Sequence, residues 1–333
     1  MRRIILDTDL SMGEPGSEID DGFALALALA DPGLSVDLVT TVNGNTDVDT
    51  ATALTIELLD RLGRAQVPVV RGAERPLVRP VFDEAAAAAR AQASRARPSW
   101  SRARPGMAAD AIVDAVTAAP GELTVVAIGP LTNVALALAR DPSIAAGLRE
   151  VVAMGGVFLG TTNQLDMPGE FNTWVDPDAT AAVLASGVPL RFVGLDVTLQ
   201  VRLSRGDARQ MGGGSGTGTD SGDGGFGRFA GDCTLAWIDA LEASGAAAGA
   251  GGDGGADPGS CALHDPLAVA VLTRAELVTW RSARVAVETV GDVARGVTVA
   301  DFRSSAGAPN CRVGVAVDAV AFRHVFLQRM ASL

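Results

Sequence analysis

An open, mainly parallel (mixed) α/β sheet flanked by helices, built as one large domain over residues 1–333, is the fold that the sequence predicts. Short apolar runs of strand length alternate with helical patterns along most of the chain. Hydrophobic residues make up 48% of the 333, enough to bury a large core. Polar residues gather just after the apolar runs, at the strand ends where open α/β sheets hold their ligands.

The elements follow in order. Ile4–Leu6 reads as the first strand, apolar and so buried. Asp20 and Asp21 head an alanine- and leucine-rich helix over Phe23–Ala30, which stops before Asp31-Pro32. Ser35–Thr41 and Val67–Arg71 read as strands, with the helix Thr50–Leu62 between them. Ala85–Arg104 breaks the pattern. It reads as a solvated helix and a Pro-Ser loop, with Arg90, Arg95, Arg97, Arg102 and Arg104 as a basic patch and phosphate binding as the alternative. Regular alternation then resumes with helix Ala108–Ala118, strand Leu123–Ile128, helix Thr132–Ala139, strand Glu150–Met154, helix Pro177–Ala185 and strand Leu190–Gly194. Such βαβα order implies parallel strands covered by helices on both faces. Two Gly-rich insertions, about 211–225 and 245–259, are expected to be flexible, either as a lid or as inert loops. They flank a helical piece, Phe226–Glu242. His264-Asp265-Pro266 opens a helix over Leu267–Leu272, and Val320–Met330 is the last helix.

Composition excludes several functions. The formal net charge of -12 argues against nucleic acid or an anionic membrane as partner. Lysine and tyrosine are absent, so a Walker lysine, a Schiff-base lysine and a tyrosine acid are unavailable. Cys233, Cys261 and Cys311 are odd in number and far apart, which suggests a reducing compartment. With no readable signal peptide or membrane span, a cytoplasmic location is expected.

Four acids carry the strongest chemical signal. Asp7 and Asp9 close the first strand on one face, and a Gly/Pro/Ser loop delivers Asp20 and Asp21 to the next helix. Carboxylates so crowded repel one another, and a hard divalent cation such as Ca²⁺ or Mg²⁺ relieves that cost. A helix N-terminus decorated with acids is the plainer reading, and it leaves the strand-end pair unexplained. Further polar motifs fall at strand ends: Asn43-Gly44-Asn45, Gly129-Pro130-Leu131-Thr132-Asn133 with Thr132 as a helix cap, Met154-Gly155-Gly156, Glu170-Phe171-Asn172 and His264-Asp265-Pro266. The second histidine, His324, lies in the last helix and reads as a surface or packing residue.

Taken together and in this order, the motifs resemble the inosine–uridine-preferring nucleoside hydrolase family. The resemblance runs from Asp7 through Pro266 and implies a Rossmann-like fold and hydrolysis of ribonucleosides to free base and ribose, as in purine or pyrimidine salvage. It implies Ca²⁺ as cofactor, with Asp9, Asp21, Asp265 and the Ile128 carbonyl as protein ligands. Asp20, Asn45, Asn163, Glu170 and Asn172 match residues that hold ribose hydroxyls, while Met154 and Phe171 would pack near sugar and base. Asp9 would serve as general base and His264 as the group protonating the leaving base. A homodimer or homotetramer is the implied assembly.

The chain departs from the family pattern in three places. The loop between Asp9 and Asp20 is longer than usual, Gly22 stands where the family has alanine, and Ala85–Trp100 lacks a histidine that some pyrimidine-preferring members use. Two competing readings are a haloacid dehalogenase-type phosphatase, suggested by Asp7-Thr8-Asp9, and a non-catalytic nucleoside or ribose binder. The missing lysine counts against the first, and the presence of Asp9 beside the full ligand set counts against the second.

Overall fold

The architecture follows from one nine-stranded sheet in a computed structural model, which describes residues 1–79, 84–160, 162, 168–213, 225–244 and 259–333. The strands are β1 (Arg2–Thr8), β2 (Leu34–Thr41), β3 (Val69–Arg71), β4 (Leu123–Ala127), β5 (Glu150–Met154), β6 (Leu190–Val193), β9 (Val278–Val287), β10 (Thr298–Asp301) and β11 (Cys311–Val317). They lie in the order β10-β9-β11-β6-β5-β4-β1-β2-β3. A separate antiparallel pair joins β7 (Arg202–Ser204) to β8 (Ser260–Ala262).

Every pairing from β3 across to β11 is parallel, whereas β9 and β10 extend that edge antiparallel. The mixed character lies wholly in this C-terminal part. Sequence periodicity missed it because β9 is buried only at scattered positions and carries arginines at 281 and 284.

Helices cover both faces. On one lie α1 (Asp20–Ala30), α2 (Val48–Arg61), α12 (His264–Ala270) and α13 (Ala319–Met330), and on the other α4 (Ala108–Ala118), α5 (Thr132–Arg140) and α8 (Pro177–Ala185). Two apolar clusters result, one on each face of the sheet. Phe23 anchors the first, packing edge-on against Phe226 and Phe326 at centroid distances of 6.3 and 5.3 Å. Two of these helix starts have a clear local cause. Asp47 caps α2 by accepting from the Asp49 and Thr50 amides, while Asp176 accepts from Ala179 N–H ahead of Pro177.

Two local expectations need correction, and the arginine-rich segment keeps its expected order of helix then loop. Thr132 is not the cap of α5; it is the first helical residue, and its hydroxyl donates instead to Asp176 Oδ2 at 2.7 Å. The arginine-rich segment forms α3 (Glu84–Arg95) and a short 3-10 turn over Pro98–Arg102. Four arginines of its basic patch are ion-paired: Arg90, Arg95, Arg97 and Arg102 pair with Asp47, Asp49, Glu57 and Asp60. The first Gly-rich insertion begins later than expected, since Met211–Gly213 ends α10 (Arg205–Gly213) and Gly225 begins α11 (Gly225–Ser244). The rest of both insertions lies outside the described residues.

This topology fixes where a ligand can bind. From β1 the chain steps to β2 and β3 on one side, and β4, β5 and β6 then build outward on the other. The order reverses at β1, so the crevice beyond its C-terminal end is the switch point of the sheet.

Candidate functional site

Asp9 sits at that switch point, one residue past β1. Val42 N–H donates to the Thr8 carbonyl and Ile128 N–H to that of Asp7, so the chain leaving β2 and β4 flanks it. Asn45 N–H donates to Asp9 Oδ2 at 2.7 Å, and Asp9 Oδ1 is buried with no hydrogen-bond partner. Both neighbouring motifs owe their glycines to this carboxylate. A Cβ on Gly44 would stand 1.8 Å from Asp9 Oδ2, and one on Gly129 would stand 2.9 Å from Asp9 Oδ1.

The start of α1 supplies two more acids. Asp21 accepts from the Thr8 hydroxyl and from Asn45 Nδ2, the latter at 3.0 Å. Asp20 Oδ2 accepts the backbone N–H groups of His264 (3.1 Å) and Asp265 (3.2 Å), which ties α1 to the start of α12. Its other oxygen, Oδ1, is buried and unpartnered. Carboxylate oxygens of Asp20, Asp21 and Asp265 all lie within 4.8 Å of one another, a spacing that could hold a metal ion.

Burial and mutual repulsion push these acids upward. Burial raises Asp9, aided by the charge of Asp21; it raises Asp265, aided by Asp20 and Asp21; and with Asp20 it pushes Asp21 up to about 7. Burial also raises Asp20, against the opposing influence of His264. An assembly of hard oxygen donors with orphaned lone pairs suits a hard divalent cation.

The first aspartate of the strand belongs elsewhere. Asp7 Oδ1 accepts from Thr40 Oγ1 (2.6 Å) and Asn133 Nδ2 (2.8 Å), and Asn133 also reaches the Thr41 carbonyl and the Ala73 amide. Asp7 therefore knits strand ends together rather than joining the acid cluster. Only Asp9, beyond the strand, turns toward α1.

The opposite wall comes from β5 and α7 (Phe171–Val175). Glu170 caps α7, with Oε1 accepting from Asn172 N–H at 2.8 Å and Oε2 from Thr173 and Gly156 N–H at 3.0 Å each. Asn172 Nδ2 donates to the Ile128 carbonyl at 2.8 Å and to the Met154 carbonyl at 3.2 Å. Met154 is buried beside it, and the half-buried Phe171 ring stacks on Trp174. Asn163 lies outside the described residues. His264 opens α12 with Nδ1 2.8 Å from the Thr198 hydroxyl, and burial lowers its pKa. His324 is exposed, away from this cluster. A cavity of about 250 Å³ adjoins the acids through Asn43–Asn45 and is walled by Asp47, Arg71, Arg90 and Ala91.

Two participants were missed in the sequence. Glu18, half-buried in the long loop, is raised first by burial and then by the charges of Asp20, Asp21 and Glu170, so it adds to the same field. Its place two residues before the aspartate pair was the available signal. Thr198 gave no signal, because only the fold brings it to His264. Another departure, Gly22, finds a physical reason. A Cβ there would lie 2.2 Å from Sδ of Met12, a buried residue of the long loop. Loop length and the Asp-Asp-Gly helix start are therefore one packing solution.

The fold and site define an α/β protein with an acid-lined polar crevice at its topological switch point. The chain belongs to the inosine-uridine preferring nucleoside hydrolase family, whose model matches residues 4–324. It is 36% identical to the non-specific ribonucleoside hydrolase RihC of Salmonella agona, over 96% of this chain and 94% of that protein. Among solved structures it resembles a purine-preferring ribonucleoside hydrolase from Gardnerella vaginalis (TM-score 0.80, 27% identity, 99% of this chain and 98% of that one). It also resembles the plant nucleoside hydrolase PpNRh1 (TM-score 0.81, 26% identity, 100% and 99%). Ribonucleoside hydrolysis is thus the activity of its family, and neither the phosphatase nor the passive-binder reading is favoured.

Proposed function

We propose that this enzyme cleaves the N-glycosidic bond of ribonucleosides with a calcium ion held by Asp9, Asp21, Asp265 and the Ile128 carbonyl. The unpartnered Asp9 Oδ1 and the close approach of Asp21 to Asp265 support that donor set. When bound, calcium supplies positive charge that offsets the mutual repulsion of the acids and makes a water more acidic.

The chain's own residues do the rest. Asp9 is the general base. Asn45 N–H anchors its Oδ2, which leaves Oδ1 free to take a proton from the attacking water as the C1′–N bond breaks. Asp20, Asn45, Glu170, Asn172 and Asn163 hold the ribose hydroxyls, and Met154 and Phe171 pack against sugar and base. The acids beneath the ring favour the positive charge of an oxocarbenium-like transition state. His264 faces the departing base and donates a hydrogen bond to it.

The observation that carries this reading is the half-satisfied Asp9 carboxylate at the switch point, one oxygen fixed and one bare. A panel of ribonucleosides assayed for free base and reducing sugar, with and without chelator, tests it. The expected result is chelator-sensitive release of both products, abolished in Asp9→Ala. Near-normal turnover by that variant would remove Asp9 from the base role.

Three free cysteines support a cytoplasmic setting. No helix among the described residues is long and apolar enough to cross a membrane. A homodimer or homotetramer is the proposed assembly; exposed Leu77, Val78, Val290 and Val293 offer apolar surface for it, and sedimentation would read the stoichiometry.

A further inference from the structure

The ring of His264 is held by a residue with no motif of its own. Thr198 is the last residue of α9 (Leu195–Thr198), the short helix that follows β6. Its side chain is fully buried, and Oγ1 lies 2.8 Å from His264 Nδ1, its one hydrogen bond among the described residues. The backbone around the pair is fixed independently. Thr198 N–H donates to the Gly194 carbonyl, Val201 N–H to that of Thr198, and Leu263 N–H to that of Val201. Asp20 holds the His264 backbone N–H as well. The hydroxyl contact therefore adds nothing to backbone placement. What it sets is the imidazole: its rotation and which nitrogen carries hydrogen.

A buried hydroxyl hydrogen needs an acceptor, and among the described residues the one within reach is Nδ1. A neutral imidazole that accepts at Nδ1 carries its hydrogen at Nε2. We infer that Thr198 is a positioning residue, donating to His264 Nδ1 so that the ring presents Nε2–H to the departing base. This rests on the nucleoside-hydrolase reading of the site and assigns the hydrogen-bond donor within it.

The chemistry balances without another reactant. As water oxygen bonds to C1′, the C1′–N electron pair moves onto the base nitrogen, where the Nε2–H hydrogen bond stabilises it. Asp9 takes one proton from the attacking water, and the base gains one from solvent. Asp9 later returns its own to solvent.

Thr198→Val removes the hydroxyl while keeping the shape, and Thr198→Ser restores it. With inosine or uridine, Thr198→Val should lose roughly 10-fold or more in kcat with KM little changed, and Thr198→Ser should recover most of it. With p-nitrophenyl riboside, whose leaving group needs no such donor, Thr198→Val should match the parent. Equal losses on both substrate types, or no loss on nucleosides, would overturn the assignment. A second readout needs no turnover. His264 and His324 are the only histidines, so ¹⁵N NMR at about pH 8 with His324→Asn as assignment control isolates one ring. The Nε2–H form should dominate in the parent and lose dominance in Thr198→Val; an Nδ1–H form in the parent would refute the inference. Failure of the parent to cleave any nucleoside would instead refute the proposed function, and the spectra would still judge the hydrogen bond.

Discussion

Gly44→Ala isolates the geometry on which the whole site turns. The residue has no positive φ, so the backbone accepts alanine. The new methyl would stand 1.8 Å from Asp9 Oδ2, 2.6 Å from Cγ and 2.9 Å from Cβ of the same side chain. Real contacts of this kind stay beyond 3.0 Å, so the carboxylate or the turn must move by about 1.2 Å, the difference between 3.0 and 1.8. Moving the carboxylate displaces the base; moving the turn withdraws Asn45 from Asp9 and Asp21. Either way, a displacement near 1 Å in a catalytic constellation costs on the order of 100-fold in rate. Reducing-sugar release should therefore show kcat lowered roughly 100-fold, while the thermal transition moves little. Gly213→Ala is the control, because its methyl would meet nothing within 4 Å. A Gly44→Ala enzyme within threefold of the parent, under the same assay, would show that Asp9 does not need this placement.

Two other perturbations follow from the same structure. Calcium should stabilise chelator-treated protein by about 2.7 kcal/mol at 100 times Kd, raising its thermal midpoint by roughly 4 °C; differential scanning fluorimetry showing no shift at millimolar calcium would count against the metal site. Asp31→Asn tests pH linkage away from that site. Burial raises the Asp31 pKa, but hydrogen bonds from Arg274 (2.8 Å), Gly33 N–H (2.8 Å) and Thr273 (3.0 Å) outweigh it and hold the group below its ordinary value. A depressed carboxyl contributes stability above its unfolded-state pKa of about 3.9 and loses it as pH falls through the folded value. The variant should thus be about 1.5–3 kcal/mol less stable at neutral pH, the gap closing only in strong acid. Denaturant melts showing a gap independent of pH would contradict this.

The parallel half of the sheet was legible because its strands are short apolar runs and its helices carry recognisable starts; Glu150–Met154 and Ala108–Ala118 match to the residue. The C-terminal extension was not. Strand β9 mixes exposed arginine with buried alanine and valine, so no period-2 pattern stands out. Asp9, Asp20, Asp21 and Asp265 could be named in advance because each neighbours a turn or helix start. Their partners could not. Thr8 to Asp21, Thr40 to Asp7 and Thr198 to His264 are contacts between a hydroxyl and a charged or ring group distant in sequence. Threonine in a strand or helix looks the same whether its hydroxyl faces solvent or an acid.

Met12 and Gly22 bind the long loop and the acid-bearing helix into a single transferable module. Grafting a shorter loop from a relative would remove the thioether and leave a hollow at the third position of α1, directly beside Asp21. A methyl at that position would force the Met12 side chain to move, since its Sδ lies 2.2 Å from where the methyl would stand. Redesign of this entrance must therefore exchange both partners at once, so the pair marks a natural seam for engineering the acid field without dismantling the sheet.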